Sequence, residues 1–224
     1  RYREETMPEE NKNFSFIKNI IARHGQRLMN IYLFSSFTAW CVFQTFKTYR
    51  EGRLDYIEIS FAVQNIIMVS LFLVRKNHRA INTNIFDQCI ALIAFCSGAA
   101  FIGQPVSGGT TIGIIAVTVI IAANILGAVT LINLGRSFGI LIALREVKTS
   151  GLYSVVRHPM YFTDILLRVG YVIYHFNLFT VSVFTASTLC YLYRALLEEK
   201  FLSQDPSYAE YMKNVRYRFI PGVF

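Results

Sequence analysis

Long apolar runs alternate with short charged interruptions along this chain. A helix needs ~20 residues to cross the hydrocarbon core of a bilayer. Four runs come near or exceed that length: Leu28 to Phe46, Ile57 to Val74, Ile85 to Gly103 and Ile112 to Leu134. A further apolar region, Tyr161 to Leu197, is too long for one crossing. Polar groups interrupt it at Tyr174-His175-Phe176-Asn177, so it reads as a helical hairpin of two spans. The expected fold class is all-α: a polytopic membrane protein of about six transmembrane helices, ending in the hairpin and a charged tail. The pattern divides the chain into a polar leader (1–27), four spans (28–134) and a C-terminal unit (135–224).

Composition supports a bilayer as the solvent. Of 224 residues, 54% are hydrophobic and 16% charged, whereas soluble domains carry about a quarter charged. The net charge of +8 would suit nucleic acid, but the basic residues lie between apolar spans instead of on one soluble face, so no nucleic-acid partner is expected. They behave as topology signals. Lys and Arg number six in 1–27, three in 75–84, four in 135–160 and five from Arg194 onward, against three in 47–54 and none in 104–111 or 174–180. Both termini and the 135–160 segment should therefore face the cytoplasm, in a bacterial inner membrane or an endomembrane. The leader lacks the apolar core and cleavage site of a secretory peptide. Cys41, Cys89, Cys96 and Cys190 all sit in apolar stretches with no metal-binding spacing. They are expected as buried packing residues, and no metal site is expected. The loop Gln104-Pro105-Val106-Ser107-Gly108-Gly109 reads as a turn, with no strand before it to make a nucleotide loop.

Ionisable residues concentrate in the last ninety positions. The run Lys148-Thr149-Ser150-Gly151-Leu152-Tyr153 contains a turn glycine. Arg157-His158-Pro159-Met160-Tyr161 follows, with Pro159 suited to the first turn of a helix. Free N–H groups at that helix start, next to Arg157 and His158, form an anion-friendly corner, although a basic membrane-edge loop would have the same composition. Asp164 and Arg168 lie four apart inside the fifth span, where charges mark function or a mutual pair. Arg194 and Glu198 share a helix face at the end of the sixth span, with Glu199 beside them. The tail carries Tyr208-Ala209-Glu210-Tyr211 and then Arg216-Tyr217-Arg218-Phe219-Ile220-Pro221-Gly222-Val223-Phe224, an alternation that suits an interfacial segment returning to the membrane.

Taken in order, these features resemble the isoprenylcysteine carboxyl methyltransferase family and its relatives among phospholipid methyltransferases. The likeness spans roughly Gly135 to Phe224, with His175-Phe176-Asn177-Leu178 where many members have Asn-Pro. The resemblance implies that the final helices and tail enclose S-adenosylmethionine on the cytoplasmic side while a lipophilic substrate enters from the bilayer among membrane lipids. It implies cofactor contacts from Val147, Lys148, Gly151, Tyr153, Arg157, His158, Pro159, Met160, Tyr161 and Glu198. Arg194 would address the substrate. Tyrosine faces suit a sulfonium, and Glu198 can accept from an amine or a ribose diol. A carboxylate nucleophile, of pKa about 3.5, needs no base, whereas an amine would, with Glu199 the candidate.

The function expected from the sequence is S-adenosylmethionine-dependent methyl transfer to a lipophilic acceptor, isoprenylcysteine-like or other. Phospholipid amine N-methylation is an alternative. An NADPH-dependent membrane reductase would need a second basic pocket, and a transporter or scaffold would spread its charges through several spans.

Overall fold

The computed structural model describes residues 9–52, 55–101, 104 and 106–223, with side chains from Gly25 onward. Arg53, Pro105, Phe224, the first eight residues of the leader and the last two of the third expected span lie outside the described residues. Among the described residues seven α-helices make up most of the fold: α1 (Glu9–Arg50), α2 (Tyr56–Val74), α3 (Ile85–Cys96), α4 (Thr111–Leu134), α5 (Pro159–Tyr174), α6 (Leu178–Leu202) and α7 (Pro206–Asn214).

Short polar residues set where these helices start. The side chains of Asp55, Asn84, Thr110, Asn177 and Asp205 accept from first-turn N–H groups of α2, α3, α4, α6 and α7. Each such cap contributes ~1 kcal/mol in water. At Asn177 the cap is reciprocal, since the Thr180 hydroxyl accepts from the Asn177 N–H. That capping box turns the chain between α5 and α6 where the sequence breaks the apolar run.

Among the described residues, three helices are long and apolar enough to cross a membrane: Tyr56–Val74, Thr111–Ser137 (α4 with its 3-10 extension) and Leu178–Leu202. Their outer faces, with that of α1, carry a broad apolar surface that includes Leu28, Ile31, Val42, Phe43, Ile66, Ile114, Ile125 and Ile132. An apolar surface this extensive is solvated by lipid.

The structure differs from the sequence reading in several places. The third run is α-helical for twelve residues only and continues as a 3-10 turn, Ser97–Phe101. The cause is polar: the Ser97 hydroxyl donates to the Ala94 carbonyl and accepts from Arg168 of α5, while Gly98 lets that guanidinium approach. The leader is helical from Glu9, continuous with the first apolar run. Cys89 and Cys96 are exposed instead of buried, because they share the outward side of α3 with Leu92 and Ile93. The all-α expectation also missed a two-stranded antiparallel pair, β1 (Ala80–Ile81) with β2 (Ala143–Leu144).

α4 is the central helix. It packs most extensively on α5 and also holds α2, while α3 leans on α6. Gly170 of α5 makes the α4 crossing possible. A Cβ there would lie 2.5 Å from the Ile120 side chain and 3.2 Å from the Ala116 carbonyl. Small residues perform this service where helices meet in lipid. Two polar pairs link the spans: Asn124 donates to Ser60 at 2.8 Å, and Tyr191 donates to Asp164 at 2.7 Å. Arg168 does not face the Asp164 carboxylate as a simple ion pair. It donates to the main-chain carbonyl of Asp164 at 2.7 Å and lies 5.1 Å over the Tyr191 ring.

Gly170→Val should destabilise the protein by about 1–3 kcal/mol through overpacking. Thermal unfolding of the detergent-solubilised protein should show a lower midpoint for this variant, whereas Gly108→Val, at a glycine with open space around it, should leave the midpoint unchanged.

Candidate active site

The segment between α4 and α5 forms one wall of a cleft by strand-like alternation. Phe138, Ile140 and Ile142 are buried in the core, and the intervening Gly139, Leu141 and Ala143 line the cleft. Successive side chains of an extended backbone point to opposite sides, which produces this division. The segment is fixed by the β1–β2 pair and by Gln88 of α3. The Gln88 amide donates to the carbonyls of Asn82 and Ile142 and accepts from the Ile142 N–H. Gly151 then turns the chain with φ +62°, and a Cβ there would meet the Asn133 amide at 2.6 Å. That turn delivers Tyr153 to the cleft.

The tail closes the opposite side. Beyond α7 the chain runs back against the residues that precede α5: Arg157 N–H donates to the Tyr217 carbonyl at 2.9 Å and His158 N–H to the Arg218 carbonyl at 2.8 Å. Tyr208 and Tyr211 of α7 are buried and line the cleft. The Tyr211 hydroxyl donates to the Tyr153 carbonyl at 2.7 Å, so α7 is bolted to the glycine turn. The tail does return, as the alternation predicted, but onto the protein.

Of the residues singled out from the sequence, Val147, Lys148, Tyr153, Arg157, His158, Met160, Tyr161 and Glu198 line this one cleft. Gly151 and Pro159 shape its backbone, Pro159 as the first residue of α5. Arg194 and Glu199 stand behind it, outside the lining. Arg194 is buried and fully engaged: Nε donates to Glu198 at 3.1 Å, Nη1 to the Ala91 carbonyl at 2.9 Å and Nη2 to the Ile140 carbonyl at 2.5 Å. Its guanidinium also lies 5.0 Å over the Tyr161 ring.

Glu198 and Glu199 are neighbours in sequence with different surroundings. Glu198 faces the cleft, and its Oε1 accepts from Tyr161 at 2.5 Å as well as from Arg194. Glu199 is buried, 3.1 Å from His158 Nε2 and 3.2 Å from Arg157 Nη1, and its Oε2 accepts from Arg218 Nε at 2.9 Å. His158 stands between the two carboxylates, with Nδ1 3.9 Å from Glu198. Its ring stacks on Tyr161 at 5.2 Å and 7°.

The phenols of Tyr153, Tyr208 and Tyr211 are all pushed up by burial, so these walls stay neutral at physiological pH. The Arg145 guanidinium falls to about 10, through burial and then repulsion from Arg75, against the opposing pull of Glu198. The Glu146 carboxyl is held low by hydrogen bonds from Lys76 and Lys148. The cleft thus combines a presented carboxylate, a basic side (Arg145, Lys148, Arg157), neutral aromatic walls and apolar side chains such as Leu141, Leu144 and Met160. Among the described residues no His, Cys, Asp and Glu group could hold a metal ion.

Sequence reasoning missed Gly139, Leu141, Ala143, Arg145, Tyr208 and Tyr211 as lining residues. The alternation from Phe138 to Ala143 was the available signal for the first three. The three-residue spacing of Tyr208 and Tyr211, which puts both rings on one helical face, was the signal for the last two.

Residues 105–209, just under half of the chain, match the family model for phospholipid methyltransferase, which belongs with the isoprenylcysteine carboxyl methyltransferases to a wider group of membrane methyltransferases. No curated protein matches the chain.

Removing the Glu199 carboxylate should cost about 3–5 kcal/mol, because Arg157 is left as a buried cation without its partner. Denaturant unfolding of Glu199→Ala in mixed micelles should show that loss. An unchanged midpoint would mean that the contacts of Glu199 with Arg157, His158 and Arg218 do not secure the tail.

Proposed function

We propose that this chain, with its match to the phospholipid methyltransferase model over residues 105–209, transfers a methyl group from S-adenosylmethionine to a lipophilic acceptor at the cytoplasmic edge of a membrane. The observation that carries this reading is Glu198, a carboxylate fixed by Tyr161 and Arg194 and presented to a cleft walled by neutral tyrosines. In this reading about six helices sit in the bilayer with both termini cytoplasmic, which brings the cleft to the membrane face rich in Lys and Arg.

The donor set of the cleft fits the cofactor. S-adenosylmethionine, when bound, supplies an electrophilic methyl group on a sulfonium, together with an amino-acid head, a ribose and an adenine. Glu198 accepts from the ammonium or the ribose diol. The first-turn N–H groups of Met160 and Tyr161 lack intrahelical partners, and with Arg157 they offer a place for the carboxylate. Leu141, Leu144 and Val147 give the base an apolar wall. The faces of Tyr153, Tyr208 and Tyr211 attract the sulfonium and keep water out. Methyl transfer is an in-line displacement, so alignment and dryness are what these residues contribute.

Arg194 serves as a positioning residue. Three of its N–H groups hold Glu198, α3 and the 138–142 wall. Glu199 also positions, fixing His158 and the tail, since three neighbours already share its oxygens. A carboxylate acceptor, which needs no base, suits that arrangement. The family match favours a phospholipid amine, whose proton would pass to Glu198 or to solvent. Either acceptor is lipophilic and reaches the cleft from the bilayer. The domain match favours methyl transfer over the reductase and transporter readings.

Calorimetric titration of the purified protein with S-adenosylhomocysteine tests the cofactor, and Glu198→Gln should bind about tenfold to a hundredfold more weakly, the loss of one charge-assisted hydrogen bond. Binding of NADPH in place of S-adenosylhomocysteine would overturn the reading. Labelled S-adenosylmethionine supplied with phosphatidylethanolamine or with a prenylated cysteine should then place the label in one of the two lipids.

A further inference from the structure

A second concavity lies on the same end of the molecule, outside the cleft. It is a groove of about 590 Å³ between the α1 side chains Arg27 and Asn30, the end of α2 (Leu73, Val74) with Arg75, Lys76 and Asn77 beyond it, and Arg136 in the 3-10 extension of α4. Four of its eight lining residues are cationic and none is acidic. Lys76 has an acid, Glu146. Among the described residues, Arg27, Arg75 and Arg136 have no carboxylate within ion-pair reach.

Two of these guanidiniums are held in place by neutral groups. Arg75 Nε donates to the Asn30 side chain at 2.6 Å, and its guanidinium lies 5.3 Å over the Phe72 ring. Arg136 Nε donates to the Val74 carbonyl at 2.9 Å. Each uses one N–H and leaves its terminal nitrogens for a partner from outside. The cations also repel their neighbours: after burial, which is the larger cause in both, Arg75 lowers Arg145, and Arg145 and then Arg75 lower His78. A protein that fixes like charges together without acids among them gains by binding an anion there.

The surroundings identify the kind of anion. Leu73 and Val74 in the groove are half exposed, and Leu28 and Met29 beside Arg27 are more than half exposed. The cations thus meet an apolar helix surface that in a membrane faces acyl chains. Basic pockets between spans at the cytoplasmic face bind anionic headgroups on this principle.

We infer that the groove of Arg27, Arg75, Lys76 and Arg136 is a binding site for the phosphate of an anionic phospholipid, separate from the methyl-transfer cleft. The inference stands independently of the proposed reaction. The two concavities share no lining residue.

Native mass spectrometry of the full-length chain, titrated in one detergent with phosphatidylglycerol or with phosphatidylcholine, tests it. Wild type should bind phosphatidylglycerol at least about tenfold more tightly. The pair Arg75→Gln and Arg136→Gln should weaken that binding about thirtyfold, at ~1 kcal/mol for each cation lost. Arg75→Lys with Arg136→Lys keeps the charge and should retain most of the affinity, which separates electrostatics from misfolding. Equal binding of the two lipids by wild type, which needs no variant, would overturn the inference. So would undiminished phosphatidylglycerol binding by the Gln pair. Inorganic phosphate that binds as tightly as the lipid and displaces it would assign the groove to a free phosphate instead, and the lipid site would be lost.

Discussion

Two adjacent carboxylates at the C-terminal end of α6 hold the C-terminal unit together. Consecutive residues on a helix point about 100° apart, so Glu199 faces the protein while Glu198 faces the cleft. Glu199 ties together the residues before α5 (Arg157, His158) and the returning tail (Arg218). Glu198 takes Tyr161 of α5 and Arg194 of its own helix, and Arg194 reaches on to α3 and the 138–142 wall. The last elements could not stand alone: α7 has nine residues and the β pair two residues per strand. Short helices are marginal in water without tertiary contacts. Tyr211 on the Tyr153 carbonyl and Gln88 on the Ile142 backbone supply those contacts, and the ionic cluster fixes the tail beyond α7 through Arg218.

Lipid solvation explains why the cluster sits where it does. An ionised group at mid-bilayer is expensive, and the spans carry few. Where they carry one, its neighbours match it, as Tyr191 matches Asp164 and Ser97 matches Arg168. At the end of the bundle the restriction relaxes, and Arg, Lys, His and Glu accumulate within a few turns of one another. The cleft and the basic groove are two results of the same constraint. One is balanced by acids and walled by tyrosines; the other is left positive beside an apolar helix surface.

The legible part of the sequence was the part written in strong, local terms. Apolar run length gave α2, α4 and α6, and the break at Tyr174–Asn177 gave the α5–α6 turn. Arg157, His158, Met160, Tyr161 and Glu198, five of the cleft's nineteen lining residues, were legible through the family resemblance that their motifs carry. Features that depend on long-range partners stayed hidden. Nothing local says that Ser97 ends α3, because the guanidinium it receives comes from Arg168, seventy-one positions away. Gln88 looks like a polar interruption in an apolar run until the backbone of Ile142 is brought against it. Arg194 reads as half of a helix-end pair, and only the carbonyls of Ala91 and Ile140 make it a hub. The tail's aromatic and basic alternation suggested a membrane interface, yet Tyr208 and Tyr211 line the cleft and Tyr217 alone stays exposed among these three.

The two concavities, though separate, are mechanically joined. Lys76 lines the groove, its ammonium meets Glu146 of the cleft, and its main-chain carbonyl accepts from Arg145, also of the cleft. Arg79 N–H donates to the Leu144 carbonyl, so the segment leaving α2 is laced along the wall that carries Leu141 to Lys148. Arg145 feels both sides electrostatically, repelled by Arg75 and attracted by Glu198. An anion beside Arg75 would relieve that repulsion and strengthen the hold of Arg145 on its proton. An ammonium taken up by Glu198 would act on the same guanidinium with the opposite sign. Coupling between sites requires that each occupant favour one state of a shared element, and the 143–148 wall, which lines the cleft and meets Lys76 of the groove through Glu146 and Arg145, is the element that joins the two.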